Sequence, residues 1–96
     1  MDEVVRALDQ LRYKAIDYCD NPGSPEAKEF QKFAHDVYDQ AKRGIPADKV
    51  LWKLKELRAR IEQLKGNDEL YDLNHVDDMH DRCEDIRKEL EKIVRS

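Results

Sequence analysis

Apolar residues return every three or four positions in four separate stretches of this chain, and that rhythm constrains the fold more than any other feature. Val4, Leu8, Leu11, Ala15 and Tyr18 fall on one side of a helix, because an α-helix repeats about every 3.6 residues. A first helix is therefore expected from about residue 2 to residue 20. Asn21, Pro22 and Gly23 break it with turn chemistry. Ser24 suits the cap of the next helix, Pro25 its first position and Glu26 its positive end. Ala27, Phe30, Ala34, Val37 and Ala41 carry the second stripe, widened by Phe33 and Tyr38. Lys42 and Arg43 favour the end of that helix, and Gly44 closes it. A third helix, from about 47 to 65, turns Val50, Leu54, Leu57, Ile61 and Leu64 inward and stops at Gly66.

The fourth stretch has a fault in its pattern. Val76, Met79, Cys83, Ile86, Leu90 and Ile93 form one stripe, and Leu70 and Leu73 lie off it. The projection places a break at Asn74, with a short helical turn over 68–73 and a last helix from about 75 to 95. With Asn74 as its cap, Asp77 takes the third helical position and Asp78 follows, where carboxylates favour the free amides of a helix start.

Helices of this length are marginal alone in water, so the four stripes must bury against one another. Short connections make sequential helices antiparallel. The expected architecture is all-α: one domain over residues 1–96, an up-down-up-down antiparallel four-helix bundle. A three-helix core with an extended fourth helix is the alternative. A chain of 96 residues buries roughly 60–65 % of its unfolded surface, enough for a single core. Three Gly and three Pro are too few for an all-β fold with its many turns.

The net charge is −4, opposite to what counterion release from phosphates rewards, so a nucleic-acid partner is not expected. Nothing approaches the run of about 18 apolar residues that spans a membrane. The start, MDEVVRALDQ, is acidic and lacks the apolar run of a secretory leader. Cys19 and Cys83 form no Cys-x-x-Cys pattern, and a cytoplasmic setting with two reduced thiols is expected. Cys83 falls on the core stripe. Charge is segregated. Residues 42–65 hold eight basic and three acidic side chains, and residues 68–85 hold eight acidic and one basic. The two stretches are expected to neutralise each other as neighbours.

HVDDMHDRCED, residues 75–85, concentrates groups that could handle a metal or a proton. Asp77, His80, Asp81 and Glu84 share a flank about 100° wide on a helical wheel. Asp77 and His80 have the i, i+3 relation of a carboxylate–His metal pair, with His35 facing them from the second helix. Di-iron bundles require Glu-x-x-His on two helices and a Glu from each of the other two. The second helix offers only His35 and Asp39, so a solvated acidic flank is the expectation and a metal site the alternative. His75 belongs at the core boundary. There is no nucleophile elbow, phosphate-cradling glycine loop or H-E-x-x-H motif.

Trp52 points away from Leu54, Leu57 and Ile61 and lies beside Lys55, Glu56 and Ala59; Tyr13 likewise points away from Leu8, Leu11 and Ala15. Outward Trp and Tyr are the residue types enriched at binding hot spots. Against this stands a local role, with Trp52 folded onto the connector at Ile45 and Pro46. The stretch from GSPEAKEF to LRARIEQL, about half the chain, resembles the small cytoplasmic immunity proteins of class IIa bacteriocins in generic helix–turn–helix features. Those proteins are four-helix bundles with a Gly-containing turn before a helix similar to PADKVLWKL, and the resemblance implies the same fold.

The expected function is a small non-enzymatic interaction module that needs no cofactor. It would bind another protein or itself through a face containing Trp52, Tyr13, Lys55, Glu56 and Ala59, as a regulator, an immunity factor or a phage-type inhibitor. The first alternative is a metal-dependent hydrolase or metal binder using Asp77, His80, Asp81, Glu84 and His35. The second is a binder of a small anion or nucleotide on the basic third helix.

Overall fold

Four helices form where the apolar stripes place them. In a computed structural model describing all of residues 1–96, they are α1 (Asp2–Asp17), α2 (Pro25–Lys42), α3 (Ala47–Gln63) and α4 (Leu73–Arg95). Ser24 holds the cap position of α2 with an extended backbone, but its side chain makes no capping hydrogen bond. The end of α2 is a Schellman turn. Gly44 adopts a φ of 81°, its amide donates to the Ala41 carbonyl at 3.2 Å, and the Ile45 amide donates to Gln40 at 3.2 Å. A side chain at Gly44 would be strained in that left-handed conformation.

Each stripe is buried. Val4, Leu8, Leu11 and Ala15 of α1 meet Ala27, Phe30, Ala34, Val37 and Ala41 of α2 in a core that contains no buried charged residue. Helix α1 packs against α2 and α4, and α3 against the same two, while the backbones of the diagonal pairs α1/α3 and α2/α4 stay more than 8 Å apart. The connections, 18–24, 43–46 and 64–72, are short beside the helices they join. This closed ring is consistent with an up-down-up-down bundle. An extended fourth helix is excluded, because Val76, Met79, Cys83, Ile86 and Leu90 of α4 are all buried.

The start of α4 differs from the expectation. Asp72, not Asn74, holds its cap position, and the first turn contains no acidic residue, so Asp77 and Asp78 do not serve the helix amides. The reason lies in the preceding turn. The amides of Leu70 and Tyr71 both donate to the Asn67 carbonyl, and the Leu70 carbonyl accepts from Asp20 at 2.8 Å. The turn inserts Leu70 and Tyr71, 2 % and 1 % exposed, into the open end of the core. Tyr71 meets Phe30 edge-to-face at 5.8 Å, and its hydroxyl donates to the Ala15 carbonyl of α1. Ile93 lies on the α4 stripe but is 36 % exposed. Helix α4 has 23 residues against 16 in α1 and overhangs its neighbour by about 10 Å at 1.5 Å per residue.

Candidate functional site

The four residues of the His/Asp-rich flank do not converge. Asp77 and Asp81 are exposed, and His80 and Glu84 are half-buried. Glu84 is engaged by two arginines, Arg58 of α3 at 2.7 Å and Arg87 at 2.9 Å. Hydrogen bonding from Arg87, reinforced by the charge of Arg58, holds its carboxyl below the usual carboxylate range. His80 places Nε2 3.4 Å from Glu62 of α3, so its nearest carboxylate is neither Asp77 nor Asp81. His35 stands on α2, whose backbone stays more than 8 Å from that of α4, and is exposed; it does not face the flank. No three His, Cys, Asp or Glu side chains group in a way that would hold a metal ion.

Asp78 instead joins α4 to the end of α1. The Tyr18 hydroxyl donates to its Oδ2 at 2.8 Å, and Arg82 Nε donates to the same oxygen at 2.9 Å. The Arg82 hydrogen bond, followed by that from Tyr18, holds the Asp78 carboxyl below its ordinary range. The Tyr18 ring stacks on His75, with centroids 4.0 Å apart and planes 5° from parallel. His75 thus fills the core boundary expected of it. The segregated charges of α3 and α4 meet as neighbours at Arg58–Glu84. Cys19 and Cys83 are free thiols. Burial pushes the Cys83 thiol up to about 12.

Trp52 is 70 % exposed. It forms one wall of a shallow groove that Ile45, Arg43, Lys49, Lys53 and Glu56 also line. Lys55 places Nζ 5.9 Å from the indole ring, and Ala59 is exposed further along α3. Tyr13 is 53 % exposed and lies under the Arg12 guanidinium at 4.5 Å. Both aromatics point away from the core, but α1 and α3 are diagonal helices. Tyr13 and Trp52 therefore occupy opposite corners of the bundle and do not form one face. Sequence reasoning set Ile45 beside Trp52 only as a local cover, and missed Arg43, Lys49 and Lys53. The signal was available: Lys49 and Glu56 stand one helical turn either side of Trp52, and Ile45 follows the glycine that ends α2.

No helix is long and apolar enough to cross a membrane. Comparison of the chain with family models, with curated proteins and with solved structures finds no match.

Proposed function

We propose that this chain is a non-enzymatic interaction module that docks a protein, another chain or a second copy of itself, on the α3 face around Trp52. The carrying observation is the exposed indole on a helix whose opposite face is anchored in the core. An indole buries about 150–250 Å² when covered. At 70 % exposure and about 25 cal/mol per Å², a partner recovers up to about 3–4 kcal/mol from this one side chain. Lys55, Glu56 and Ala59 rim the contact. Tyr13, on the far corner, is not part of it. The two free thiols suit a reducing, cytoplasmic setting. Regulator, immunity factor and phage-type inhibitor are all roles for such a module.

The test is affinity capture from cell lysate with the wild-type chain, Trp52→Ala and Tyr13→Ala, quantified by mass spectrometry, alongside light scattering of each purified protein. A captured protein, or a self-associated state, lost with Trp52→Ala and kept with Tyr13→Ala supports the reading. Identical captured sets and identical masses for all three chains refute it.

A further inference from the structure

We propose that the Trp52 groove is filled by the Leu73 corner of a second copy of this chain, in a two-fold dimer. The inference rests on the reading of Trp52 as a docking residue and names its partner.

Two exposed apolar side chains, Trp52 and Leu73, carry opposite charge around them. Trp52 is flanked by Lys49, Lys53 and Lys55, none of which forms an ion pair within the chain, whereas Arg58, Arg82 and Arg87 are each held by a carboxylate. Leu73 is 54 % exposed. Asp68, Glu69 and Asp72 precede it closely in the chain and Asp77 lies one helical turn on, all exposed. None of these four pairs with a lysine or arginine; Asp72 has only His75 at 4.0 Å. Neither patch therefore carries a compensating charge pair of the kind that joins α3 to α4 at Arg58–Glu84. Each offers the other an apolar contact ringed by complementary charge, which supplies register and specificity.

The topology puts the patches where a two-fold axis can use both. Trp52 lies in the second turn of α3 and Leu73 at the first residue of α4. In an antiparallel pair these are opposite ends of the bundle. A two-fold axis across the helices exchanges the ends, so each copy's Trp52 reaches the other's Leu73 and the contact is made twice. The molecule measures 41 × 21 × 18 Å. A standard interface takes roughly 800 Å² per partner, so a dimer would use much of one long side of the molecule. A single-stranded nucleic acid fits the groove less well. Such sites stack successive bases on several aromatics, and this groove has one, with Glu56 beside it.

The experiment is sedimentation analysis over a range of concentration and salt, using wild type, Trp52→Ala, a basic-patch reversal (Lys49→Glu with Lys53→Glu) and an acidic-corner reversal (Glu69→Lys with Asp77→Lys). Circular dichroism checks that each chain is folded. Wild type is expected to dimerise, more weakly as salt rises. Trp52→Ala is expected to weaken the dimer about tenfold or more. Each reversal alone places like charges opposite one another and gives monomers. Mixed in equal amounts, the two reversals restore opposite charges at both contacts and give a heterodimer. A wild-type monomer at every concentration, a mixture that stays monomeric, or open-ended assembly overturns the inference. A monomer whose lysate partners still depend on Trp52 overturns only this inference. One whose partners ignore Trp52 overturns the docking reading as well.

Discussion

Tyr71 is the side chain whose removal most directly tests how the open end of the bundle is closed. The last carbonyls of a helix have no donor from their own helix. The Ala15 carbonyl of α1 is such a group: the Cys19 amide that would ordinarily reach it donates to Ile16 instead. The Tyr71 hydroxyl, arriving from the 64–72 connector, is its donor. Burial shifts the phenol's ionisation upward, which favours the protonated donor. Tyr71→Phe retains the ring and its contact with Phe30 but leaves a buried carbonyl unpaired, at a cost of about 1–2 kcal/mol. Tyr71→Ala also removes the ring from a site only 1 % exposed and costs about 3–5 kcal/mol. A domain of 96 residues has roughly 5–14 kcal/mol of stability in all. The first change is therefore expected to lower Tm by about 5–15 °C, and the second to remove about a fifth or more of the total. Urea unfolding followed by circular dichroism measures both, with the slope against urea unchanged if unfolding stays two-state. A Tyr71→Phe chain with the wild-type midpoint would show that water satisfies the Ala15 carbonyl and that the connector is not anchored there.

Three further outcomes follow from the same contacts. Asp78 and Glu84 have depressed carboxyl pKa values in the folded state, so the unfolded chain binds protons more readily than the native one. Their stabilisation is present above about pH 4 and is lost as pH falls through the native values. Asp78→Asn is expected to destabilise by less than about 1 kcal/mol at neutral pH, because the carboxylate is partly solvated. Its deficit against wild type should shrink as the solution is acidified in a pH series of urea midpoints, and a constant or growing deficit contradicts the assignment. Cys83, with its thiol pushed up to about 12 and buried, is expected to resist alkylation at neutral pH while half-buried Cys19 reacts. Peptide mapping after brief iodoacetamide treatment reads the difference, and equal labelling of both in the folded protein counts against it. Trp52→Ala, removing a side chain 70 % exposed, is expected to change monomer stability by no more than about 0.5 kcal/mol. A larger loss in a urea titration would mean the indole serves the fold.

The helical stripes were readable because the period of about 3.6 residues decides which side of a helix a residue occupies. Val4, Leu8, Leu11 and Ala15, or Val50, Leu54, Leu57 and Ile61, needed nothing further. The same period placed Trp52 and Tyr13 outside, and both are exposed. It could not place them relative to each other, because that depends on which helices end up diagonal. Nor could it judge the His/Asp-rich flank, where the decisive fact is what α3 supplies. Arg58 and Glu62 claim Glu84 and His80 from across the seam, and no feature of residues 75–85 announces them.

Leu70 and Leu73 show where periodicity stops. Both lie off the α4 stripe, and a wheel treats them as the same anomaly. One is 2 % exposed and the other 54 %, because the helix begins between them. A residue before the start is placed by the turn, which here folds back and carries Leu70 inward. A residue after the start is placed by the wheel, which turns Leu73 out. The signal that locates the boundary is a hydrophobic residue just before a capping residue, matched by another at the fourth helical position. Tyr71, Asp72 and Val76 have that spacing, and Tyr71 and Val76 are both buried. Moving the start two residues earlier, from Asn74 to Asp72, converts Leu73 from a misfit in the core pattern into an exposed side chain in an acidic setting. The position of one helix cap therefore decides whether Leu73 serves the core or stands in solvent among carboxylates.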